Sequence, residues 1–142
     1  MKTANTLKAI IAVAIVGIAA LCSSIKADAQ EFHIKKMVCV ETEGLLTADA
    51  IYIKYRINGG TSIRFPASSD LSFTEGTERS NLCYINANSD DTIHVEVWDH
   101  DTFDPDDYIG SFDVRVDRPK EQTVTLRQTD GIAVYRITYV LE

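Results

Sequence analysis

After the first thirty residues, apolar side chains recur at every second position, and that period commits the chain to strands. In Thr92-Ile93-His94-Val95-Glu96-Val97-Trp98, the residues Ile93, Val95 and Val97 fall on one face. Ile51–Ile57, Phe112–Val116, Thr123–Leu126 and Ala133–Val140 repeat the alternation. His33–Val40 precedes them, with weaker candidates at Ser62–Phe65, Leu71–Phe73 and Leu82–Asn86. Asn58-Gly59-Gly60 and Thr129-Asp130-Gly131 supply turn chemistry between segments. The reading is an all-β chain of about eight short strands, an antiparallel sandwich or barrel. No amphipathic segment of a dozen residues competes with them. Ser68–Ser80, rich in Ser and Thr, reads as a long loop.

The N-terminus carries a different pattern. Lys2 and Lys8 precede a small and aliphatic run from Ala9 to Leu21, and Ala27-Asp28-Ala29 follows. A run of about 13 residues suits a secretory leader and is short for a membrane span of about 20. A retained N-terminal anchor is the alternative. The expected division is a signal peptide over residues 1–29, cleaved near Ala29, and one domain over residues 30–142 in a secreted or periplasmic setting. Cys22 falls in the removed part, and the Ala19-Ala20-Leu21 before it lacks the small residue that lipidation needs. The chain is 45% hydrophobic and 25% charged, which is globular composition. Residues 30–142 hold 11 basic and 20 acidic residues, a net charge of −9. No basic stripe is present to neutralise phosphates, so nucleic acid is excluded as a partner.

Two cysteines remain, Cys39 and Cys83. In an oxidising compartment they could form a disulfide closing about 45 residues, worth about 4 kcal/mol in the chain-entropy model. Two separate buried thiols are the other reading.

The chemistry concentrates after the cleanest strand. Asp99, Asp101, Asp104, Asp106 and Asp107 fall within nine residues. So many like charges in one turn repel, and a cation, raised pKa values or plain solvation must offset them. Hard cations such as Ca²⁺ take six to eight oxygen ligands, which a loop of aspartates can present. An EF-hand does not fit, because its Asp-Gly, its distant Glu and its flanking helices are missing. His94 reads as a solvent-facing neighbour of Glu96, and His100 alone is thin ground for zinc. Trp98 is expected to pack under the acidic loop, with carbohydrate stacking as the lesser reading. No Ser-His-Asp set or phosphate loop is found. Glu96 and Asp99 are close enough in sequence to be considered as a glycosidase pair, but a sandwich of this size leaves little room for a cleft, so no enzyme is expected.

Val95-Glu96-Val97-Trp98-Asp99-His100-Asp101 followed by Asp107-Tyr108-Ile109-Gly110 resembles the third calcium-binding loop of C2 domains. That family's strand ends in Val-x-Asp-x-Asp, and a further Asp follows after five intervening residues, ahead of an apolar residue, Ile and Gly. Asp99, Asp101 and Asp107 match its three ligand positions. In the first loop the family places two acids six apart, the second just before a strand. Glu43 and Asp49, ahead of Ala50-Ile51-Tyr52-Ile53, have that spacing. Glu stands where the family has Asp at the first position, and Ala50 where it has Pro. Thr61–Asn81 is unlike the family's Asn-Pro-x-Trp-Asn-Glu stretch. The basic charges Lys54, Arg56 and Arg64 are scattered rather than polybasic.

The resemblance implies an eight-stranded antiparallel Greek-key β-sandwich over roughly residues 31–142, with Ca²⁺ as cofactor held by Glu43, Asp49, Asp99, Asp101 and Asp107. In many members calcium bridges such loops to anionic phospholipid, and apolar tip residues insert; here Phe103 takes that place. Two readings stand first: a calcium-dependent module binding lipid, glycan or an extracellular protein, and a structural or adhesion domain that calcium only stiffens or that does without it. A small hydrolase or enzyme inhibitor using the loop end is the weakest.

Overall fold

The computed structural model describes residues 28–44 and 48–142. Most of the expected leader, residues 1–27, lies outside them. Nine strands run along the described residues: β1 (Ala29–Glu41), β2 (Asp49–Ile57), β3 (Ile63–Phe65), β4 (Leu71–Phe73), β5 (Glu78–Asn88), β6 (Thr92–Asp99), β7 (Asp107–Arg115), β8 (Lys120–Arg127) and β9 (Val134–Leu141). They form two antiparallel sheets. One has the order β5-β1-β9-β8, the other β3-β2-β6-β7 with β4 beside β2. Both β3 and β4 lie along the edge of β2 away from β6, pairing with Ile53–Tyr55 and Asp49–Ile51 respectively.

The inner faces follow the alternation. Ile51, Ile53, Ile93, Val95, Val97 and Val114 from one sheet meet Phe32, Ile34, Met37, Tyr135, Ile137 and Leu141 from the other, all buried. Burying side chains of this size contributes roughly 1.5–3 kcal/mol each, so these two faces are the main source of stability. In β1 the buried positions switch parity, from Phe32 and Ile34 to Met37 and Cys39. A bulge between Ile34 and Lys36 against β9 absorbs the switch, since one extra residue turns every later side chain to the other face.

Three expectations change. The count is nine strands against about eight: β4, one of the weaker candidates, and the start of β5 both lie within Ser68–Ser80, which reads as a long loop. Glu78, Arg79 and Ser80 are exposed and join β1 through backbone pairing and the Lys36–Glu78 ion pair, so no apolar alternation marks them. The strand expected from Phe112 starts at Asp107, within the acidic stretch. Finally, Cys39 and Cys83 are free thiols, both buried. Leu82 pairs with Ile34, so Cys83 lies five or more positions from Cys39 along β1. At about 3.3 Å per residue that is roughly 17 Å, far beyond the span of a disulfide.

The ends of β1, β6 and β8 and the starts of β2, β7 and β9 come together at one pole of the sandwich. That pole carries residues 42–44 after β1 and the connections 100–106 and 128–133.

Candidate functional site

Glu43, Asp49, Asp99, Asp101 and Asp107 all line one open cavity of about 460 Å³ at this pole, and Asp104 joins them on its wall. The folding reason begins with β6. Asp99 continues the inward row of Ile93, Val95 and Val97, so the strand delivers a carboxylate to the core side at its last residue. A bulge in β7 at Ile109 then brings Asp107 directly opposite Asp99. Asp49 opens β2 on the same inward side and is 4% exposed.

Backbone and buried side chains hold these groups. Asp99 Oδ1 accepts from the Ala50 amide at 2.7 Å, and the His100 amide donates to the Ala50 carbonyl at 2.9 Å, lacing the first loop to the third. Asp49 Oδ2 accepts from the Tyr135 hydroxyl at 2.5 Å, and its Oδ1 takes the Glu43 amide at 3.4 Å. The Gln128 amide donates to Glu43 Oε1 at 3.0 Å. Tyr52 donates to Asp106 at 2.6 Å, and His100 Nδ1 pairs with Asp70 Oδ2 at 2.9 Å. Arg64 in turn clamps Asp70. Asp106 and Asp70 are therefore committed to the protein itself, and both Asp49 oxygens have donors, while Glu43 and Asp99 each keep one oxygen free of those bonds.

The electrostatics are those of an unneutralised acid cluster. Burial, then Asp49, Asp101 and Glu43 against a partial offset from the Ala50 amide, pushes Asp99 up to about 7. Burial raises Asp49, with the Tyr135 and Glu43 donors pulling the other way. Glu43 is raised by burial and then by Asp107, partly offset by Gln128. Asp101 is raised by desolvation and by Asp107. By contrast the Tyr52 hydroxyl holds Asp106 low. Among the described residues, no three of these acids bring oxygens within 4.8 Å of one another. That spacing suits mutually repelling carboxylates around a cavity that a cation would have to draw inward.

Phe103 is 96% exposed at the tip of the third loop, so packing across the loop base is ruled out. Trp98 does not pack under the acids. It lies on the outer face of its sheet between Tyr52 and Tyr108, with Lys54 Nζ 4.4 Å from its ring centre. Lys54 and Arg64 both cover Tyr52 there, so two of the three scattered cations converge on one aromatic surface. Tyr135 and Gln128 are not visible as site residues in the sequence. They arrive from β9 and the β8–β9 turn, 86 and 85 positions from their partners, and no local spacing announces them.

Residues 80–130 match the family model of the C2 domain. No curated protein matches the chain. Among solved structures, the first C2 domain of plant Extended Synaptotagmin 1 is similar with a TM-score of 0.56 at 10% identity, over 82% of this chain and 95% of that one. The paired C2 domains of Extended-Synaptotagmin 2 give 0.53 at 18% identity, over 96% of this chain and 49% of that one. Human GIVD cytosolic phospholipase A2 gives 0.54 at 10% identity, over 80% of this chain and only 16% of the enzyme. The described sandwich therefore has the fold of the C2 domains it is similar to, and residues 80–130, which contain Asp99, Asp101 and Asp107, are the stretch that the family model matches.

Proposed function

We propose that this chain is a secreted or periplasmic calcium-dependent binding module whose acidic pole docks on anionic phospholipid. C2 domains are generally calcium- and lipid-binding and typically non-catalytic. The observation that carries the reading is the convergence of five acids from two loops on one cavity, beside a bare Phe103. Glu43, Asp49, Asp99, Asp101 and Asp107 would hold calcium. Without the ion, a chain of net charge −9 is repelled by anionic headgroups. With calcium bound, up to four of those charges would be neutralised locally, so that an anionic headgroup could approach and Phe103 reach apolar depth. Extracellular calcium modules work at about 10⁻⁴–10⁻³ M, and a first loop with Glu in place of Asp suits that weak range.

Pelleting with phosphatidylserine-containing vesicles tests this. Binding is expected in millimolar calcium and not in EDTA or with neutral vesicles, and Phe103→Ser should weaken it without changing calcium affinity. Vesicle binding that ignores calcium would sink the proposal.

A second reading is a sandwich end that calcium only stiffens, serving adhesion or assembly. The ties Tyr52–Asp106 and Asp70–His100 favour it, because they already brace the third loop against its sheet. Calcium stabilisation with no vesicle binding would select it, and glycans and extracellular proteins would then be the partners to screen.

A further inference from the structure

The opposite pole holds a second cluster that the acidic loops do not touch. Glu31 and Glu142 face each other across β1 and the end of β9, joined by reciprocal backbone hydrogen bonds of 2.7 and 2.9 Å. Two acids directly opposite in an antiparallel pair repel. His33, two residues along β1 and so on the same face as Glu31, points its Nδ1 between them, 4.0 Å from Glu31 Oε1 and 3.9 Å from Glu142 Oε1. These three are the one group among the described residues whose ligand atoms all lie within 4.8 Å of one another.

The imidazole is the independent observation. His33 is 9% exposed, its ring stacks on Tyr84 at 4.9 Å, and its Nδ1 is buried with no hydrogen-bond partner. A buried ring nitrogen without a partner is destabilising, so a ligand that satisfied it would be favoured. A histidine serving as a simple ion-pair partner would draw a carboxylate to hydrogen-bonding distance, and neither is there. The two glutamate side chains are 43% and 63% exposed and free to rotate, whereas the ring is fixed by its stack. The pocket is thus a rigid nitrogen with two adjustable oxygens.

We propose that His33 Nδ1, Glu31 and Glu142 form a site for a zinc-class divalent cation. Ligand atoms about 2.1 Å from a tetrahedral Zn²⁺ stand about 3.4 Å apart, so the observed separations close by side-chain rotation alone. A mixed nitrogen and carboxylate set selects zinc or its first-row neighbours over calcium, which prefers oxygen throughout. Water fills the fourth position. The bound ion neutralises the facing acids, satisfies the ring nitrogen and fastens the start of β1 to the end of β9. Along β1 this lies up to roughly 40 Å from Glu43, at about 3.3 Å per residue, so the two sites act independently.

The test is titration of the full chain with Zn²⁺ in millimolar calcium, following the histidine ring nitrogens by NMR, with Co²⁺ absorption reporting coordination. One ion per chain should move the Nδ1 resonance of His33 while those of His94 and His100 stay. Glu142→Gln, at a largely exposed side chain where folding is not at risk, should weaken binding at least about tenfold, given that losing even an outer-shell partner costs that much. His33→Gln should do the same, and Asp101→Asn should change nothing. Zinc that moves only His100, or affinity indifferent to Glu142→Gln and His33→Gln, would overturn the site.

Discussion

Asp49 is an acid in a nearly dry place, and the residue that makes this tolerable is Tyr135. The hydroxyl is wholly buried and its bond to Asp49 Oδ2 is 2.5 Å long. Hydrogen bonds to charged groups contribute about 1.5–3 kcal/mol, and removing the donor leaves the carboxylate under-satisfied. Tyr135→Phe should lower stability by about that amount in urea unfolding; an unchanged midpoint would show that the bond contributes nothing. The same burial gives the apo protein a pH dependence. Asp99 titrates at about 7 in the folded state, against about 3.9 for an unperturbed aspartate. Glu43, Asp49 and Asp101 are raised in the same direction. A raised carboxyl binds protons more tightly folded than unfolded, so its contribution is full below the unfolded pKa and is lost as pH climbs through the folded one. In EDTA, thermal stability should therefore fall between about pH 4 and about pH 7, and the gain from calcium should widen over the same window. A flat profile in EDTA would mean that the acids are fully solvated.

Among the connecting elements, the β8–β9 turn acts on the first loop through a single amide. Gln128 is buried and donates to Glu43, and a Cβ added at Gly131 would lie 2.0 Å from its Oε1. Gly131→Ala must displace that amide, so it should weaken calcium binding several-fold, by about 0.5–1.5 kcal/mol for one lost hydrogen bond. Calorimetric titration reads this, and Gln128→Ala should reproduce it; an unaltered affinity in both would remove the turn from the site. The third loop makes a contrasting case. Asp101→Asn should abolish most calcium stabilisation and Asp104→Asn little, although both line the cavity. Equal losses would mean that the loop acts as diffuse charge. These differences separate what the sequence made legible from what it hid. The alternation of β6 and the spacing of Asp99, Asp101 and Asp107 are local, so the strand, its inward face and the loop could be read directly. The pairing of Cys39 with Tyr135 in β9, rather than with Cys83 in β5, depends on strand register, which two-residue periodicity leaves open. The β4 strand gave only a weak signal because only Phe73 of its three residues is buried. Glu31 and His33 stand at same-face spacing in the sequence, yet Glu142 joins them only through the β1–β9 ladder.

At the scale of the whole molecule, five of the acids converge on one pole, where they lie too far apart for any three to share an ion as they stand. The core is complete without the ion, since both sheets close over apolar side chains from Phe32 to Leu141. Calcium is therefore expected to add stability to an already folded sandwich rather than to fold it. Any ligand that binds only the native state stabilises by mass action, about 2.7 kcal/mol at one hundred times its dissociation constant. For a domain of this size that is a rise of several degrees. Magnesium demands near-ideal octahedral geometry and gives up its water reluctantly, so an open cavity walled by widely spaced acids should prefer calcium. Thermal unfolding in EDTA, in millimolar calcium and in millimolar magnesium should then show a rise with calcium alone. Equal rises would reduce the effect to screening of the net charge, and no rise would make the acidic pole a solvated surface whose sandwich works without calcium.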